Sequence, residues 1–145
     1  MPGLIFPNVA ENNMMDTLFG FATPDFKLFV NDHTPSASTV IANLTECSDM
    51  GYTSKTVGFG GSSTVSGKAT VTGSTSGVNW SFGYDEMRTP FTVYGYWIEK
   101  SGQLYGVERF ETPVYIDTAG GTVYLPGGSS STPTSITVRL FDNAS

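Results

Sequence analysis

Four short constellations carry residue types able to do chemistry: Asp32-His33, Glu46-Cys47, Asp85-Glu86 with Arg88, and Glu108-Arg109. His33 is the single histidine. Beside Asp32 it has the makings of a base or a metal ligand. However, it sits in a turn just ahead of Pro35, where Asn, Asp and His mostly serve the backbone. A zinc site asks for two or more Cys or His ligands, and only Cys47 is there to join it. Cys47 follows Glu46, a neighbour that raises a thiol pKa rather than activating it, so it reads as a small buried hydrophobe. A lone cysteine forms no internal disulfide.

Paired carboxylates can hydrolyse glycosides, but Asp85 and Glu86 are adjacent and would point to opposite faces of an extended chain. The stretch Asp85-Glu86-Met87-Arg88 reads as a solvated turn. Glu108 and Arg109 likewise project oppositely, which leaves them as candidates for polar contacts between subunits. The glycine-rich run 58–67, GFGGSSTVSG, lacks a lysine and Walker spacing, so it does not cradle phosphate. No G-x-S-x-G elbow occurs. Trp80, Tyr84 and Trp97 have the composition of a sugar platform, yet aromatics alternating in strands are more often core. No catalytic residue, cofactor or metal is expected.

The elements that position these residues are mostly strands. Asn8 and Glu11 have capping-box spacing, and Val9, Met14, Met15, Leu18 and Phe19 recur at helical intervals. One helix is expected near 9–19, stopped by Gly20 and Pro24. Its large apolar face must cover the open end of a sheet or bind a neighbour. After it, Phe26, Leu28 and Val30 alternate as in a half-buried strand. Further strands are expected at Val40–Leu44, Lys68–Thr72, Val78–Tyr84, Val114–Asp117, Gly121–Leu125 and Ser135–Phe141. The run 58–67 reads as a mobile loop or as glycine positions where backbone passes close to backbone, and GSTSG as the turn between two strands.

The stretch FTVYGYWIEKSGQLYGVERF (91–110) is apolar on both faces of its first half, which predicts a strand buried on both sides. Lys100-Ser101-Gly102 is its hairpin loop. Gly95 and Gly106 are expected to face each other. Phe91, Tyr94, Tyr96, Trp97, Tyr105, Phe110 and Trp80 are the expected core aromatics. About nine short strands without strand–helix alternation predict an all-β fold, an antiparallel β-sandwich or jelly-roll-like barrel with one short N-terminal helix or arm. The expected division is an arm and helix over 1–24 and a β-sandwich over 25–145.

Composition agrees. Only 14% of the 145 residues are charged, against roughly 25% in an average domain, and hydroxyls and glycines replace them. The net charge of −6 repels phosphate backbones, which speaks against nucleic acid. No apolar run approaches the ~20 residues that span a membrane, and MPGLIFPN has no basic residue ahead of its apolar stretch, unlike a secretory signal.

Certain phrases combine into a pattern: Ile5-Phe6-Pro7-Asn8-Val9-Ala10-Glu11, Leu28 to Pro35 (LFVNDHTP), Leu44-Thr45-Glu46, Gly51-Tyr52, Tyr94-Gly95-Tyr96-Trp97, and Gln103 to Phe110 (QLYGVERF). In order and spacing, across roughly residues 4–125, they resemble tailed-bacteriophage virion proteins, among them head decoration (cement) proteins. Ala10 departs from the Gly common there, and the tail after Gly127 has no counterpart. The resemblance implies a self-assembling β-protein of the virion head surface, assembled in the host cytoplasm, without catalytic residues. The implied partners are the major capsid protein and further copies of itself, as a homotrimer or a dimer. Leu4, Ile5, Phe6, Val9, Met14, Met15, Leu18 and Phe19 would form the capsid or subunit interface. A tail, baseplate or fibre protein, or a carbohydrate-binding module using Trp80 or Trp97, are the alternatives.

Overall fold

A computed structural model of the protein describes residues 7–20, 22–74, 78–125 and 135–139. Leu4, Ile5, Phe6, the centre of the GSTSG turn and the tail beyond Arg139 lie outside these residues. The order is α1 (Asn8–Leu18), β1 (Asp25–Phe29), a 3₁₀ turn (Ile41–Asn43), β2 (Lys55–Thr56), β3 (Ser63–Val65), β4 (Lys68–Ser74), β5 (Asn79–Phe82), β6 (Phe91–Lys100), β7 (Gln103–Ile116), β8 (Gly121–Tyr124) and β9 (Ser135–Arg139). The strands form antiparallel sheets ordered β2-β1-β6-β7, β3-β4-β9 and β5-β8. The protein is all-β with one short helix, sandwich-like, and the described residues do not close into one barrel.

The sandwich follows from which faces are apolar. Phe26, Leu28, Val93, Tyr96, Ile98, Phe110 and Ile116 turn one face of the four-stranded sheet inward. Ala69 and Val71 of β4, Trp80 and Phe82 of β5 and Val123 of β8 meet them from the other two sheets. Met15 and Phe19 belong to the same cluster. The helix is therefore packed into the β-structure rather than standing off from it. Its inward residues, Glu11, Met15 and Phe19, follow i, i+4, i+8 spacing, while Val9, Met14 and Leu18 point outward. Asn12 bonds Thr64 through its side chain, and Asp16 accepts the N–H of Ser62 at 2.7 Å.

The anticipated capping box does not form. Pro7 occupies the N-cap with no side-chain cap, which draws Asn8 into the first turn of the helix.

β6 is the buried spine that its two apolar faces predict. Its core face joins the main cluster. Its other face carries Trp97, which packs with Phe29 and Leu44 under the segment that follows β1. At the hairpin tip, Lys100 pairs with Gln103, and Ser101 and Gly102 both take positive φ, 53° and 77°. A two-residue turn of this hand matches the twist of the strands.

Several local expectations change. Gly95 and Gly106 do not face each other; Gly95 pairs with Arg109 and Gly106 with Ile98, because register shifts interrupt the ladder at Val93/Gly95 and Ile98/Glu99. Gly95 is nevertheless a thin spot: a Cβ there would run into the Glu108 carbonyl and lie 2.7 Å from the Phe29 ring. The segment 40–44 is a 3₁₀ turn rather than a strand, since the Asn43 side chain takes the Val40 N–H at 2.8 Å, in competition with any ladder. The run 58–67 is not simply a loop. Ser63–Val65 pairs with Lys68–Thr70 across a tight turn at Ser66-Gly67. Finally, the anticipated strand at Val114–Asp117 is the far end of the 14-residue β7.

Candidate interaction surface

The described residues bring none of the four constellations together as a reactive site. The Nε2 of His33 lies 3.0 Å from the Thr39 hydroxyl. Asp32 instead pairs with Arg109 at 2.5 Å, and the same guanidinium takes the His33 carbonyl and lies 5.0 Å from the Tyr94 ring centre. Arg109 thus pins the Asn31–Pro35 turn onto β7. Glu108 projects the other way and accepts the Tyr96 hydroxyl at 2.6 Å. Both residues proposed for contacts between subunits are engaged within the chain. Burial, reinforced by that bond, holds the Tyr96 phenol far above its ordinary pKa.

A second polar group lies on the outer side of the four-stranded sheet. Lys27 contacts Glu99 at 2.8 Å and Glu46 at 3.8 Å, and Trp97 Nε1 donates to Glu99. The lysine's hydrogen bond holds Glu99 below the usual carboxylate range. Tyr52 donates to Glu46 at 2.8 Å. Among the described residues, no group of three His, Cys, Asp or Glu side chains could hold a metal ion.

The expected core aromatics divide. Trp80 and Trp97 are each 2% exposed, and Tyr96 and Phe110 are also buried. Phe91 and Tyr105 are half-buried against the main cluster, and Tyr94 against the Trp97 cluster. Neither tryptophan is available to stack on a sugar; Trp80 moreover spends its indole N–H on the Thr53 carbonyl at 2.7 Å.

The most built feature of the surface was not legible from those motifs. Arg88, read as part of a solvated turn, is buried. Its Nε donates to Asp49 Oδ1 at 2.8 Å, and its Nη1 reaches the carbonyls of Gly83 at 2.8 Å and Asp117 at 3.0 Å. Asp49 also accepts the Gly51 N–H, and the guanidinium bond holds its carboxyl below the ordinary range. Asp85 shapes its own turn by accepting the Met87 N–H, and its N–H bonds Thr118. One guanidinium therefore joins three chain segments, 47–51, 83–88 and 117–120, into a fixed corner. Such a fork satisfies several carbonyl and carboxylate acceptors at once, which a lysine would not.

That corner frames a cleft of about 380 Å³ bounded by Val30, Cys47, Asp49, Met87, Arg88 and Phe91, among others. Cys47 is buried at its wall, and desolvation pushes the thiol pKa up. Met50 and Met87, which also line the cleft, are 97% and 84% exposed. Tyr84, on the 83–88 segment, is exposed as well. It is apolar side chains gathered into a patch, rather than single ones, that mark contact surfaces, and methionine adapts readily to what it meets. The clue in the sequence was an arginine inside a tight Asp turn; its partner, 39 residues earlier, gave none.

No protein family model, curated protein or solved structure matches the chain.

Proposed function

We propose that this protein is a structural component of a tailed-bacteriophage virion, a head decoration protein that binds the outer capsid surface and bridges capsid subunits. The observation that carries the reading is the rigid corner around Arg88 with Met50, Met87 and Tyr84 presented to solvent. A cement protein works by adhesion: packed DNA pushes the shell outward, and each bridge adds contact area where subunits would part. Repetition over the shell multiplies a modest interface into a large effect. A sparsely charged β-sandwich suits this task, because little charge must be desolvated when its surfaces are covered. The sequence resemblance described above supplies the virion context, with the major capsid protein as partner and self-association as a homotrimer.

Electron cryomicroscopy of the intact particle tests the proposal. Copies of this sandwich on the outer face of the head are expected. Copies confined to the tail, baseplate or fibres, or absent from the particle, would overturn it.

A further inference from the structure

Resting on the self-association in that reading, we infer that the cleft beside Arg88 is the acceptor for the N-terminal arm of a second copy of this chain, taking Leu4, Ile5 and Phe6 against Met50 and Met87. The cleft is held open by groups already satisfied: Arg88 is spent on Asp49, Gly83 and Asp117. What remains for a ligand includes an apolar share from Val30, Phe91 and the two methionines, set among Ser48, Asp85 and Thr89. Its volume, about 380 Å³, lies at the small end of ligand pockets, enough for two or three large side chains. Asp49 and Asp85 at its walls disfavour an acidic guest, and the whole chain carries −6. Residues 1–6, MPGLIF, contain no charged side chain. Three consecutive large apolar residues ask for a partner surface, and they lead into a helix whose first residues, Pro7 to Val9, are exposed rather than core.

Reach favours a neighbour over the same chain. The Leu18 carbonyl at the end of α1 accepts a bond from Lys100, at one end of β6. The cleft lies at the other end, beside Phe91. Ten residues of strand place these ends about 30 Å apart. Leu4 lies three residues before Pro7, a span of at most about 11 Å when fully extended. An arm fills its own cleft only at nearly full stretch with α1 aimed back along β6. A neighbour's arm meets no such limit. An arm-to-cleft contact is heterologous, and such contacts close into rings when the rotation allows.

Light scattering on purified protein at micromolar concentration tests this. Wild type is expected above the 15.5 kDa of one chain. Ile5→Asp, in the arm, and Met87→Asp, at an exposed position, are each expected to fall to the monomer mass with an unchanged melting temperature. An equimolar mixture of the two is expected at twice the monomer mass, because one intact arm then meets one intact cleft. A monomeric wild type, variants that keep the wild-type mass, or a mixture that stays monomeric would each overturn the inference. Decorated heads with Met87→Asp unchanged in mass would sink this inference alone; an arm-linked oligomer absent from the head would sink only the functional proposal.

Discussion

Replacing Met15 and Phe19 together by alanine asks whether α1 is part of the fold or an appendage. Both side chains are buried, 1% and 3% exposed, inside the cluster that also holds Phe26, Tyr96 and Phe59. Phe19 packs at 5.3 Å from the Phe59 ring centre and at 5.8 Å, edge-on, from Tyr105. Truncating a buried Met costs about 2–5 kcal/mol and a buried Phe about 3–5 kcal/mol. Simple addition gives about 5–10 kcal/mol. The residues are one helical turn apart and share a cavity, so the lower end is the better figure. Total stability of a domain is only about 5–15 kcal/mol, so the double variant should be at the edge of unfolding. At this chain length about 1 kcal/mol moves the melting temperature by roughly 2–4 °C, so a fall of at least about 10 °C is expected. Thermal melts followed by tryptophan fluorescence report it, since Trp80 and Trp97 both lie buried. A fall smaller than about 4 °C would refute the placement of the helix. The same reasoning separates two truncations: removing residues 1–6 should leave the melt intact, whereas removing 1–20 should not.

Gly95→Ala should destabilise the protein by about 1–3 kcal/mol, read as a lower denaturant midpoint, because its Cβ meets the Glu108 carbonyl and the Phe29 ring; Gly106→Ala, with Ile98 at 3.5 Å, should cost less, and equal effects would contradict the register. Glu99 has a folded pKa below its ordinary 4.5 through its bond with Lys27, so its stabilisation is present above pH 4.5 and is lost as pH falls through the folded value. The melting temperature of wild type should exceed that of Glu99→Gln at pH 6 and converge with it as the pH falls below that range; a gap that widens in acid would show the sign to be wrong. Cys47 should react with a thiol reagent far more slowly in the native protein than in denaturant, because burial protects the sulfur and raises its pKa; comparable rates would contradict its burial.

Much of the fold was legible in the residues. Strict alternation at Phe26 and Leu28, two apolar faces at 91–98, and Ser101-Gly102 between them are local signals, and local signals survive into β1, β6 and the hairpin turn. The helix was legible for the same reason. Which of its apolar residues face inward was not, since Met14, Met15, Leu18 and Phe19 are all apolar and only the position of β4 and Phe59 selects Met15 and Phe19. The 3₁₀ turn at Ile41–Asn43 went unread because an Asn side chain and a strand ladder compete for the same N–H, and strand propensity carries no term for that competition.

By itself the sequence determined that strands would dominate, that one strand would be enclosed on both sides, and that few charges would need to be kept wet. Those are properties of period and composition, set within a few residues of each position. Only the tertiary structure decided where Arg88 would be spent. Its partners lie 39 residues before it at Asp49 and 29 residues after it at Asp117, and chain closure over such distances leaves no trace in the residues between. The exposure of Met50 and Met87 was decided with it, because a methionine is apolar wherever it stands and becomes a contact surface only when the chain around it is fixed with that side chain facing water.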